Sequence, residues 1–147
     1  MNLERYPYFT NNDFQEYEFY SEGPKGRIKK IVLFQKTQDN PIIYNLAFGD
    51  EDPVTRGVND SVVSNNNDRN KVLATVANTI NDFCDRHGNH YIYAKGSNEA
   101  RTRLYQMSIS ALLEEISIDF DVNGILGGQV VPFERNVKYE GFLIKRK

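Results

Sequence analysis

The sequence predicts a mixed α+β (α/β) single domain over residues 1–147, a curved mixed sheet of about six strands with two helices on one face, in the order β-β-β-(β)-α-β-α-β-β. Three observations predict it. Period-two alternation dominates the first third, period 3.6 takes over at Asp68, and a short apolar run separates two helical stretches before strand-like segments return. A chain of 147 residues lies in the range of one domain and can bury one core without staples.

The first strand is "FQEYEFYSEG", where Tyr17 and Phe19 alternate with Glu16, Glu18 and Tyr20. "GPKG" from Gly23 to Gly26 is a turn, and "RIKKIVLFQK" is a second strand that becomes apolar on both faces at Ile31 to Phe34. "IIYNLAFGD" puts Ile42, Tyr44, Leu46 and Phe48 on one side of a third, completing an antiparallel meander. The loop from Gly49 to Asn70 is longer than a compact domain tolerates without a function or some order of its own, and "SVVS", Ser61 to Ser64, extends the sheet as a short strand. From Asp68, Val72, Leu73, Val76, Ile80, Phe83 and Cys84 recur at helical spacing, and Gly88 supplies the stop. "HYIYAK" is a short strand. A second helix, "SNEARTRLYQMSISALLEEI", has Leu104, Tyr105, Ile109, Leu112, Leu113 and Ile116 on its inner stripe. "FDVNGIL", a Gly127-Gly128 turn and "VKYEGFLIKRK" add two strands. The strand between the helices runs parallel to one neighbour through a helical crossover.

Composition narrows the function. Lys+Arg 18 against Asp+Glu 20 gives no general attraction to nucleic acid or anionic membrane, so any charge-based role is local. Cys84 is the single cysteine, which rules out an intramolecular disulfide and suits a reducing compartment. "MNLERYPYFTNNDF" has no apolar core of a signal peptide, and no stretch approaches the roughly 18 apolar residues of a membrane helix. A cytoplasmic protein with no membrane partner is expected.

The sharpest local feature is "KGSNEARTRLYQ", Lys95 to Gln106. Ser97 or Asn98 suits the N-cap of the second helix. The helix dipole is positive there, so Arg101 and Arg103 each cost a few tenths of a kcal/mol, within a dipole effect of about 0.3–1 kcal/mol, unless an anion compensates. Arg101 lies one turn before Tyr105 on the inward stripe, whereas Arg103 aligns with Gln106, Met107 and Ser110 and faces outward. Free amides, a Gly-Ser approach and arginine beside a strand's carboxyl end make an anion site for phosphate or carboxylate, built from Ser97, Asn98, Arg101 and Arg103 and completed by Asn67 and Arg69. The alternative is an internal partner for Arg101, Glu16 or Glu18 of the sheet.

Taken together, "VSNNNDRNKVLATVANTI", "GSNEARTRLYQMSI" and "VKYEGFLIKRK" resemble a family of small uncharacterised bacterial proteins, a domain of unknown function, over nearly the full chain. A weaker likeness is to GNAT-type acyltransferases, whose core runs strand, strand, strand, helix, strand, helix, strand. Asn98, Arg103, Leu104 and Tyr105 match the spacing of a late-helix motif of that family. The likeness implies a GNAT-like topology, acetyl-CoA as cofactor and Tyr105 as the acid that protonates the leaving thiolate. The family's glycine-rich pyrophosphate loop is replaced here by "NNNDRN".

Other constellations are weaker. Cys84 and His87 stand three apart, but Cys84 lies on the apolar stripe of its helix and reads as a buried structural thiol. "HGNH" offers two imidazoles with no further Cys or His, so no metal is expected, and "GDED" lacks the spacing of a calcium loop. The basic runs "RIKK" and "IKRK" form a nucleic-acid patch only if the second and last strands adjoin; otherwise they are solvated edges that discourage pairing. The expected function is a binding or regulatory module for a small anionic ligand or a protein partner, of the toxin–antitoxin kind in one form, with an exposed edge strand that permits a homodimer. A divergent acyltransferase comes second and a nucleic-acid-binding protein third.

Overall fold

The computed structural model describes residues 3–59 and 65–147. Strands β1 (Tyr8–Asn11), β2 (Glu16–Gly23), β3 (Gly26–Asp39) and β4 (Ile42–Glu51) form an antiparallel meander, and the two-residue β5 (Val58–Asn59) pairs with the end of β4. Helix α1 (Arg69–His87) then crosses to β6 (Tyr91–Ala94), which runs parallel to β4 with Tyr44 opposite Ile92. Helices α2 (Glu99–Ala111) and α3 (Leu113–Asp119) lead to β7 (Phe120–Leu126) and β8 (Gln129–Pro132), and β9 (Gly141–Arg146) returns between β6 and β7. The sheet order is β1-β2-β3-β4-β6-β9-β7-β8, with β5 beside β4. The mixed α+β class is as expected, and β4 with β6 is the only parallel pair among the described strands.

Register explains which face the helices cover. Tyr17 and Phe19 of β2 share a face with Val32 and Phe34 of β3 and with Tyr44, Leu46 and Phe48 of β4. Against that face α1 lays Val76, Ile80 and Phe83, with Phe83 stacked on Phe34 at 4.3 Å between ring centres. A second cluster joins Ile109 of α2 to Phe133, Tyr139 and Phe142. Glycine is required at Gly124, because a Cβ there would lie 2.3 Å from a ring carbon of Tyr139.

Three expectations are corrected. The sheet has nine described strands rather than about six: β1 and β8, each four residues, and the two-residue β5 are too short to show a period of their own. The single helix over residues 97–116 divides at Leu112, whose φ of −115° and ψ of 19° leave the helical region, so two helices become three. "RIKK" and "IKRK" form no common patch. β3 and β9 are separated by β4 and β6, and the register places the start of β3 and the end of β9 at opposite ends of the sheet. The short strand expected at Ser61 to Ser64 lies outside the described residues.

Candidate functional site

β4 and β6 pair from Ile43↔Tyr91 to Leu46↔Ala94, after which β6 ends and β4 continues to Glu51. Parallel strands joined through a helix leave a crevice at their carboxyl ends, where the chain departs in different directions. Here α1 and α2 flank that crevice, and between them and the sheet lies a cleft of about 720 Å³. Leu46, Phe48 and Phe142 form its floor, and Val76 and Ile80 of α1 face Ile109 of α2 across it. Its mouth is polar, with Lys30, Asp50, the Asn65 to Arg69 segment and Arg101.

Each polar group is placed by an identifiable local cause. Asn98 is the N-cap of α2, and its side-chain oxygen accepts from the backbone N–H of Arg101 at 2.9 Å. That fixes the first turn and sends the Arg101 side chain inward, where the residue is only 6% exposed. Gly96 lets the chain approach this turn. Its N–H donates to Thr102 Oγ1 at 3.1 Å, and a Cβ on it would lie 2.6 Å from Arg101 Cβ. Lys30 follows the inward register of β3, stands opposite Asp50 of β4 and forms an ion pair with it. Tyr105 donates its hydroxyl to the carbonyl of Phe48 at 3.2 Å, linking α2 to β4 at the cleft wall.

The segment before α1 is anchored from behind. Asn66 is buried; its amide nitrogen donates to Ser21 Oγ at 3.1 Å and to the Gly26 carbonyl at 2.8 Å, and its oxygen accepts from the Lys25 N–H at 2.7 Å. Asp68 turns its carboxylate away from the helix start, accepting from Tyr6 Oη at 2.6 Å and from Ser21 Oγ. Asn67 takes a left-handed φ of 59°, which asparagine tolerates better than most residues.

Of the sequence-predicted residues, Asn67, Arg69 and Arg101 line this one cleft, as does Tyr105. Ser97, Asn98 and Arg103 do not: Asn98 is occupied as the cap, and Ser97 and Arg103 are on the exposed side. Glu16 and Glu18, weighed as partners of Arg101, alternate with Tyr17 and Phe19 and so project from the opposite face of the sheet, where Lys29 pairs with Glu18 at 2.9 Å. Sequence reasoning missed Lys30 and Asp50. The signal was present, since each stands on an otherwise apolar inward stripe at the end of its strand.

Cys84 is buried, and burial pushes its thiol up, away from nucleophilic use. His87 stacks on Phe83 at 4.7 Å, and the ring nitrogen of His90 meets the His87 carbonyl at 2.8 Å. Both histidines serve the end of α1 rather than the cleft.

Residues 2–147 match the family of unknown function DUF6934, and the chain belongs to that family, in line with the full-length resemblance of its sequence. No curated protein and no solved structure matches the chain.

Proposed function

We propose that this member of the DUF6934 family is a binding module that takes a small anionic ligand in the cleft between α1 and α2, at the carboxyl ends of β4 and β6. The observation that carries the reading is local charge. Among the described lining residues four are cationic, Lys30, Arg69, Lys71 and Arg101, and two acidic, Asp50 and Asp68, in a molecule whose formal net charge is −2; Lys30 pairs with Asp50, and Lys71 reaches out of the cleft to Glu4 at 3.1 Å. One of these cations, Arg101, is almost wholly buried beside an apolar floor, where attraction to an anion is screened little. An apolar pocket with a few convergent polar groups is the usual form of a small-molecule site. A regulatory role follows if occupancy is sensed by a protein partner, as in a toxin–antitoxin pair, and a reducing, cytoplasmic setting suits the lone buried thiol of Cys84.

Thermal-shift titration with a panel of organic and inorganic anions tests the reading. At least one anion should raise the melting temperature of the wild type and fail to do so with Arg101→Gln, while a panel without effect overturns it.

A second reading, an acyltransferase using acetyl-CoA, is favoured by one observation: Tyr105 lines the cleft at the end of a parallel pair joined through α1, in the element order that the acyltransferase resemblance implies. Calorimetric titration with acetyl-CoA decides it. Saturable binding lost in Tyr105→Phe supports the enzyme, and absence of heat removes it.

A further inference from the structure

The inner end of the cleft differs from its mouth. The charged lining groups stand at the starts of α1 and α2 and on the facing ends of β3 and β4. Behind them the walls are Ala77 and Ile80 of α1, Ile109 of α2, Ile116 of α3, Phe120 of β7 and Phe142 of β9, all buried and none charged. Helices on one side and sheet on the other make this end a chamber rather than a surface groove. The cleft's volume of about 720 Å³ falls within the range of about 300–1,000 Å³ usual for small-molecule sites.

One polar side chain interrupts the apolar wall. Ser108 lines the cleft two turns along α2 from Arg101, about 10 Å further in at 1.5 Å per residue, and is 8% exposed. The other buried serine and threonine hydroxyls are committed. Ser21 donates to Asp68, Thr75 to the Lys71 carbonyl at 2.7 Å, Thr79 to that of Val76 at 2.6 Å and Thr102 to that of Asn98 at 3.0 Å. The Ser108 hydroxyl has no partner among the described residues, not even the carbonyl one turn back that a serine within a helix can take.

A buried hydroxyl with nothing to donate to is costly, so an acceptor belongs beside it. A water held there needs about two to four polar partners, and the Ser108 side chain is one. A carboxylate at this depth loses its hydration with no cation next to it. An uncharged molecule with an acceptor oxygen fills the apolar space and satisfies the hydroxyl at once. We propose that the inner end of the cleft is a binding chamber for an uncharged, largely apolar carbonyl compound, its carbonyl oxygen accepting from Ser108. The chamber stands apart from the anion reading above, which concerns Arg101 and the mouth.

The test is isothermal calorimetry on the full chain with 2-octanone, acetophenone and octanoate, paired with infrared difference spectra of the isotope-labelled ketone carbonyl. At least one ketone should bind saturably, with its carbonyl stretch below the frequency found in an alkane solvent. Ser108→Ala should weaken that ketone about three- to tenfold, the scale of one neutral hydrogen bond, and return the stretch to the alkane value. Ala77→Leu, which fills the chamber, should abolish ketone binding. Ser108→Ala removes one oxygen atom and keeps the test decisive if the leucine variant does not fold. Ketone affinity and carbonyl stretch both unchanged in Ser108→Ala overturn the proposal, as does saturable binding of neither ketone. Octanoate bound more tightly than both ketones, and lost in Arg101→Gln, overturns the uncharged ligand while keeping the anion site. Ketone binding with no anion active in the thermal-shift panel keeps the chamber and removes the anion reading.

Discussion

Asn66 shows how a single buried amide fixes a functional loop. Its three hydrogen bonds reach across the β2–β3 turn, and Gly23 leaves it room, since a Cβ there would come 2.9 Å from the Asn66 side-chain carbon. Asn66→Ala strands buried donors and acceptors and should cost about 2–3 kcal/mol, read as a lower urea midpoint. Gly96→Ala forces the first turn of α2 away from β6. It should cost about 1–3 kcal/mol and weaken anion binding as well, because Arg101 moves with that turn. Tyr8 supplies a test in alkali. Burial, and then a hydrogen bond to Asp82 at 2.8 Å, push its phenol up to about 12 from an ordinary 10.0. The native state therefore keeps a proton that the unfolded chain releases. Stability is intact below pH 10 and falls between pH 10 and 12, and denaturant midpoints across that window should fall less steeply in Tyr8→Phe. At this scale the sequence was partly legible. The inward aim of Arg101 followed from its spacing to Tyr105 and the cap at Asn98 from its residue type, whereas the anchoring of Asn66 depends on partners about 40 residues away.

The elements most legible in advance were those with a long unbroken period. Helix α1 spans 19 residues, and its inner residues Val76, Ile80 and Phe83 are the ones the period selects. Phe83 sits between Phe34 and Tyr44, at 4.3 and 4.7 Å between ring centres, so Phe83→Ala should cost about 3–5 kcal/mol. Chemical denaturation checks this, with the slope unchanged if the folded state stays compact. β1 was not legible because its partner supplies what its sequence lacks. Asn12, Asp13 and Phe14 all take left-handed φ, at 50°, 55° and 64°, folding the chain back so that Tyr8 lies opposite Phe19. Arg86 of α1 ties that turn at Asp13 with a 2.8 Å contact. The break at Leu112 was equally hidden, since its residue type suits helix; the bend lets Ile116 reach the main core while Ile109 remains in the second cluster.

For the whole molecule, topology decides what the sequence could only suggest. Asn67 precedes α1 and Arg69 opens it, while Arg101 follows β6, and the parallel β4–β6 pair brings them to one cleft. Their grouping was readable as charge out of place. The apolar channel beside them was not, because its floor belongs to four different strands. The position of β9 has one more outcome, in the order of biosynthesis. Ribosomes deliver β7 and β8 before β9, yet among the described strands β9 alone joins that hairpin to β6 within the sheet. Translation must therefore proceed past residue 146 before the two halves can unite, and native structure is gained in one late event rather than progressively. A nascent chain arrested at residue 140 should be cut readily by protease, and one held beyond residue 147 on a tether that clears the exit tunnel should resist.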